Sequence, residues 1–320
     1  MRALFGLVLA LVGACYDPSA QAGAPCSANG TCPATLVCTG GYCLLPGVGA
    51  DADDDGASAD APDDADAITI DAPTSMGWSP PTALVGVNTS SKESDPSFTS
   101  NRLELYFVSA RAGGVGGEDI WYTSRASVTA AWAAPINVAV LNSTAVDSGV
   151  EISADGSRIY FVSTRTGASD IYTSTKAGTD WSPPTLVPEL SSPATEDSLG
   201  VSPDGLTAIV SRSTVGGRTM HIATRANLTD PFGALTAFAP INSAATDPAS
   251  PSLTNGASTI YFHADTSRNI YIVTKVGLGW SSPVPVTEVN TITRDAAPFV
   301  TQTDNYMFYE HDGQLYETHR

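Results

Sequence analysis

The chain has 320 residues, 42% of them apolar and 15% charged, enough for one large all-β core or two average domains. Its 33 acids against 15 Lys and Arg give a formal net charge of -18, which argues against nucleic acid as a partner, because phosphate binding needs a basic surface. Nine of the acids lie between Asp51 and Asp71, so the remainder of the chain is only moderately acidic.

The first fifteen residues, MRALFGLVLALVGAC, carry one positive charge, an apolar stretch and small residues before Cys15. This is an export signal, too short for a stable membrane-spanning helix. LVGAC resembles the lipobox of bacterial lipoproteins. The resemblance implies that Cys15 is the lipid-modified first residue of the mature chain and that the membrane is met through a lipid anchor alone. Ordinary signal cleavage is the alternative. Tyr16 rather than Asp follows the cysteine, which by the lipoprotein sorting pattern implies the outer membrane or cell surface.

Residues 16–44 form a small Cys-rich module. Cys26, Cys32, Cys38 and Cys43 are separated by five, five and four residues, without the close CxxC pairs of zinc sites. Two disulfides are predicted, as expected in an oxidising compartment, and all three connectivities remain open. Residues 45–75 read as a disordered linker of Asp, Ala, Ser, Pro and Gly, too polar and self-repelling to fold. Asp51, Asp53, Asp55 and Gly56 match the opening of a calcium loop, but Pro62 stands where such a loop needs Glu. A solvated spacer is the expectation there, with calcium the alternative.

From residue 76 to 320 the chain repeats itself. Segments led by Trp78, Trp132, Trp181, Phe232 and Trp280 recur at intervals of 54, 49, 51 and 48 residues: WSPPTALVGVN, WAAPINVAVLN, WSPPTLVPELS, FGALTAFAPIN and WSSPVPVTEVN. Between them come five triplets of short strands. The first strands run into the turns FTSN, ISADG, VSPDG, LTNG and VTQTDN. The second strands are LELYFVS, RIYFVS, TAIVS, TIYFHA and YMFYE, and the third DIWYTSR, DIYTSTK, MHIATR, NIYIVTK and QLYETHR. Asp-Gly, Asn-Gly and Asp-Asn supply the positive φ of tight hairpins. The second strands are β-branched and aromatic with weak alternation, which suits burial on both faces. Proline sits in the Trp-led segments, as an edge strand permits. Repeats of about 50 residues with four strands each predict a β-propeller. There are five of each piece, but the Trp-led segment comes first, so WSPPTALV must complete the blade containing residues 298–319. The prediction is five four-stranded antiparallel blades.

The phrase VSPDG, a strand, then DIY resembles the WD-repeat-like propellers of the TolB type, most closely in ISADGSRIYFVSTRTGASDIYTSTK. The resemblance covers roughly 76–320. TolB-type propellers have six blades and a preceding α/β domain, neither of which is legible here, so the TolB translocation role is not implied.

Asp95, Asp147, Asp197, Asp247 and Asp295 stand three to six residues ahead of the quoted first-strand segments. They predict either a ligand- or cation-binding ring at the channel mouth, calcium being the candidate ion, or caps of local turns. Glu93, Glu151, Glu196 and Arg294 lie near that ring without repeating. A pair such as Asp147 and Glu196 could act as base and acid in a propeller-type glycoside hydrolase or lyase. Arg125, Lys176, Arg225, Lys275 and Arg320 close every third strand and read as solvated strand ends. The four histidines share no metal-ligand spacing, and no nucleophile elbow or phosphate loop is present. The function expected is binding of an envelope protein or glycan by a monomeric, exported protein without a cofactor, with a carbohydrate-active enzyme as the alternative.

Overall fold

The computed structural model describes residues 77–254 and 256–320, together with the backbone of residues 37–39 and 42–44. Cys15, Cys26, Cys32, the aspartates at 51, 53 and 55, and almost all of the predicted signal, module and linker lie outside the described residues. In the Cys-rich stretch, Val37–Thr39 pairs antiparallel with Tyr42–Leu44, setting Cys38 opposite Cys43 along the backbone.

The larger unit is a ring of five antiparallel sheets. Blade one contains Glu93–Phe98, Glu104–Ser109, Asp119–Ser124 and Ile136–Asn137, from the axis outward. Blade two contains Asp147–Ile152, Arg158–Ser163, Asp170–Ala177 and Thr185–Leu186. Blade three contains Thr195–Val201, Thr207–Thr214, Gly217–Thr224 and Thr236–Ala237. Blade four contains Ala249–Thr254, Thr259–Ala264, Asn269–Val276 and Val284–Pro285. Blade five contains Asp295–Val300, Tyr306–His311 and Gln314–His319, and its outer strand is Thr82–Ala83. Ala83 pairs with Tyr316 and Thr82 with Glu317, so the first Trp-led segment closes the last blade as expected.

Local chemistry accounts for the turns of the first three blades. Between inner and second strands, Asn101, Asp155 and Asp204 each accept the N–H two residues on, at 2.9, 3.0 and 3.0 Å, closing Asx turns. Gly156 and Gly205 follow at φ 74° and 72°, where a side chain would be strained. The second strands are buried nearly end to end, and five apolar clusters fill the five junctions between blades.

The outer strands are shorter than the Trp-led segments suggest, at two residues each. Prolines beside them cannot donate to a ladder. A side chain compensates. The last residue of each segment, Asn88, Asn142, Ser191, Asn242 or Asn290, turns its side chain back onto the third strand. Asn142 Oδ1 accepts the Ile120 N–H at 2.8 Å while its Nδ2 donates to Ile120 O at 2.9 Å. Asn88 does the same to Leu315, Asn242 to Met220 and Asn290 to Ile270. Ser191 replaces the pair with one hydroxyl on Ile171. A carboxamide has the donor and acceptor of a peptide unit, so it continues the sheet where the backbone leaves it.

The cations ending the third strands are not simply solvated. Arg125 stacks on Trp132, Lys176 on Trp181, Arg225 on Phe232 and Arg320 on Trp78, at 4.2, 5.6, 4.3 and 4.7 Å from the ring centres. Three of them also reach a tyrosine of the preceding blade: Lys176 to Tyr106, Arg225 to Tyr160 and Arg320 to Tyr261. Blade three carries Ile209 at the matching place, and Lys275 of blade four has no such contact among the described residues. Trp78 is 5% exposed and packs edge-on against Tyr261 at 6.2 Å, so the closing segment seals the junction between blades four and five.

Candidate functional site

The inner strands line an axial channel, and each carries a β-bulge. Counting back from the register places Glu93, Asp147, Glu196, Pro248 and Asp295 in one structural position. Four of the five are acids, and each meets a basic side chain of its own blade: Arg111 at 2.9 Å, Arg165 at 2.7 Å, Arg212 at 2.9 Å and His311 at 2.8 Å. Each also caps the turn before it. Asp147 accepts the Ser143 N–H at 2.6 Å, Asp295 the Thr291 N–H at 2.6 Å, and Glu93 the Thr89 N–H at 3.0 Å. Glu196 accepts the Ser192 hydroxyl.

The five sequence-predicted aspartates are therefore not equivalent. Asp147 and Asp295 begin their strands and are fully buried in these contacts. Asp197 is the bulge residue of blade three, bonded to Ser213, and Asp247 precedes its strand beside Arg218. Asp95 sits in the bulge of blade one at φ 48°. Of the five, Asp247 alone lies ahead of its strand, because the inner strands begin earlier than the turn-ending segments that first reveal them. Among the described residues no three His, Cys, Asp or Glu side chains are grouped to hold a metal ion. Asp147 and Glu196 face the cations of their separate blades rather than a shared cavity.

The channel has two mouths and a waist. The waist, between Pro96, Val150, Leu199, Pro251 and Pro298, contains a void of only 20 Å³. At the hairpin-turn end lies a cavity of 440 Å³. The same position in every blade walls it: Phe98, Ile152, Val201, Leu253 and Val300. Leu228, 57% exposed, stands at its rim. Three carboxyls line it. Asp155 and Asp204 are committed to their turns, whereas Glu151 reaches the floor. Glu151 Oε1 accepts the Val201 N–H at 3.4 Å, where Ser97 and Ser252 at the same position use a hydroxyl for the next blade's N–H. Burial pushes the Glu151 carboxyl up to about 8, so it is largely neutral at pH 7.

At the opposite end lies a polar cavity of 170 Å³. Arg218, Arg268 and Arg294 converge there around His263, which is 4% exposed. Burial first, then these arginines, hold the His263 ring well below its usual range, and its Nδ1 accepts the Ala297 N–H at 3.2 Å. The proton is thus on Nε2, which has no partner. Glu310 takes Arg294 at 2.9 Å on Oε2 and leaves Oε1 unpartnered; burial holds its carboxyl up at about 7 despite that arginine. Burial also raises Asp95. His263 and Glu310 were not among the predicted site residues, and the signal was their disagreement with Val108 and Val162 in otherwise matching strands.

No protein-family model matches the chain, and no curated protein matches it by sequence. Solved structures similar to it include a putative TolB from Agrobacterium tumefaciens, 15% identical with a TM-score of 0.48 over 72% of this chain and 75% of that one. They also include the catalytic domain of a GH62 α-L-arabinofuranosidase from Coprinopsis cinerea, 12% identical with a TM-score of 0.49 over 76% and 96%. A family 117 glycoside hydrolase from the marine bacterium Zobellia galactanivorans is 11% identical with a TM-score of 0.50 over 76% and 89%. At these identities the likeness is one of fold, and the fold is a β-propeller.

Proposed function

We propose that the chain is an exported envelope protein, lipid-anchored through Cys15, whose propeller binds a partner protein at the apolar mouth of its channel. The observation that supports this reading best is the build of that mouth, which is apolar at the equivalent position of all five blades. An apolar side chain entering it leaves water on every side, and neutral Glu151 at the floor has a proton for a carbonyl oxygen. Hydrolysis of a glycosidic bond needs two carboxyls facing one substrate. Here Glu151 is the one lining acid outside the hairpin turns, and it takes the Val201 N–H and the Ser97 hydroxyl, while Asp147 and Glu196 are held by Arg165 and Arg212.

The test uses the full chain against an envelope extract, with an apolar fluorescent dye as a second readout. Leu228→Glu, at the exposed rim, should abolish capture of the partner and dye binding with the circular dichroism unchanged. Cys15→Ser should move the protein from the detergent to the aqueous phase. Capture that survives Leu228→Glu overturns the docking site. Release of reducing ends from an envelope glycan would replace this reading with the enzymatic one.

A further inference from the structure

Blades four and five depart from the repeat at one place. Counted along the second strands, His263 and Glu310 occupy the position held by Val108, Val162 and Ser211 in the other blades. Three blades close without either residue, and the one bond of this pair to the next blade is the Ala297 N–H on His263 Nδ1 at 3.2 Å, which leaves His263 Nε2 and Glu310 Oε1 unused. Both side chains are at least nine-tenths buried, both line the polar cavity, and each keeps one polar atom without a partner. Burying such atoms costs stability and adds nothing to the packing of the blade.

The surrounding charges point the same way. In a chain of net charge -18, three arginines converge on one mouth. Arg218 reaches Asp247 and Asp197 only at 3.6 and 3.8 Å, beyond hydrogen-bond range. Arg294 binds Glu310 through one nitrogen, leaving its buried Nε unpartnered. Arg268, held at φ 56°, gives its backbone N–H to Asp265 O, while its guanidinium has no hydrogen-bond or ion-pair partner among the described residues. Lys92 is neutralised by Glu118 at 3.1 Å. The remaining acid, Asp95, is biased by burial toward its neutral form.

We propose that this mouth binds a small hydroxylated carboxylate of the sugar-acid class. The planar guanidinium donors of Arg268 and Arg218 match a carboxylate. With Glu310 ionised, as it is above pH 7, the orphan donor at His263 Nε2 and the orphan acceptor at Glu310 Oε1 call for a group that both accepts and donates. A hydroxyl does so; a bare carboxylate or phosphate does not. At 170 Å³ the cavity lies below the size of drug-sized pockets, so it suits one sugar-sized unit rather than an oligosaccharide. This site is separate from the apolar mouth and does not depend on the partner proposed there.

Calorimetric titration of the full chain with D-glucuronate, D-glucose, acetate and inorganic phosphate tests the assignment. Glucuronate should bind at least tenfold more tightly than the other three. Arg268→Gln should lower its affinity at least tenfold with the melting temperature of the free protein unchanged. His263→Val restores the residue of blades one and two and removes the Nε2 donor, so it should lower affinity at least fivefold. Leu228→Glu should leave glucuronate binding intact, which separates this site from the apolar one. Equal binding of glucose would overturn the carboxylate requirement. Equal binding of acetate or phosphate would overturn the hydroxyl requirement. Absence of glucuronate binding, or binding indifferent to Arg268→Gln, would overturn the site.

Discussion

The two mouths of the channel open at opposite ends of the same five blades and obey opposite rules. At the apolar mouth the blades agree, contributing Phe98, Ile152, Val201, Leu253 and Val300 from one position. At the polar mouth they disagree, and His263 and Glu310 stand where other blades have valine or serine. Agreement is what blade packing requires, since each junction must be filled in the same way. Disagreement that leaves polar atoms buried and unpartnered opposes stability, and places where local rules are broken without a structural return are where function is to be sought.

The largest effect is expected at the apolar wall. Phe98 is buried and stacked 3.6 Å from Phe308 across the junction of blades five and one. Phe98→Ala should cost about 3–5 kcal/mol in denaturant unfolding. A cost below about 1 kcal/mol would mean that the repeated wall is not a packing element.

The next effect depends on pH. The Glu151 carboxyl titrates at about 8 when folded against an ordinary value of 4.5. Between those values the folded form holds a proton that the unfolded chain has released. Stability contributed by the neutral acid is therefore full below 4.5 and is lost as pH rises toward 8. Its slope is about 1.4 kcal/mol per pH unit. Glu151→Gln should remove one proton's worth of that slope in urea titrations from pH 5 to 8, and an unchanged slope would place the carboxyl in contact with water. Glu310, held up at about 7, adds a second term of the same sign over the lower part of the window.

The carboxamide clasps are expected to matter less. Asn142→Ala should cost about 1–3 kcal/mol, because it leaves the Ile120 N–H and C=O without their partner. Asn142→Ser should recover part of the loss, since Ser191 serves blade two. The smallest contrast is between latches. Arg225→Ala removes a stack on Phe232 and a bond to Tyr160, costing about 1 kcal/mol. Lys275→Ala, at an exposed strand end, should stay within about 0.5 kcal/mol. Equal costs for the two would show that the interblade tyrosine contributes nothing.

Blade number and closure were legible because hairpin chemistry and the Trp-led segments repeat at a spacing that only a propeller satisfies. The site was harder to read for a physical reason. The repeated acid is Glu93, Asp147, Glu196 or Asp295, since either length reaches the neighbouring basic side chain. The five aspartates therefore fall at four different positions of the repeat. The bulge in each inner strand added to the confusion, because it shifts register without leaving a sequence mark in Ala297 or Ser250, both at φ 48°. His263 and Glu310 could have been found by aligning RIYFVS with TIYFHA and YMFYE. Their burial and their unpartnered atoms could not, since both depend on the facing blades. The clasp asparagines were visible as the ends of the Trp-led segments, but their role depends on outer strands only two residues long.

The pairing of Thr82–Ala83 with Gln314–His319 also imposes an order of events on a newly made chain. Asn88 emerges 227 residues before Leu315, the residue it clasps. Throughout that interval the first-made segment has no sheet to join, and the wall of blade one facing Phe308 stays open to water. Each intermediate length thus displays an unpaired strand edge and an apolar face, features by which proteases and chaperones distinguish unfinished chains. The last blade's arrival removes both together. Joining the ring becomes a single late step that reports whether synthesis has passed Gln314–His319, with the long loop adding little to its entropic cost beyond that of a shorter one.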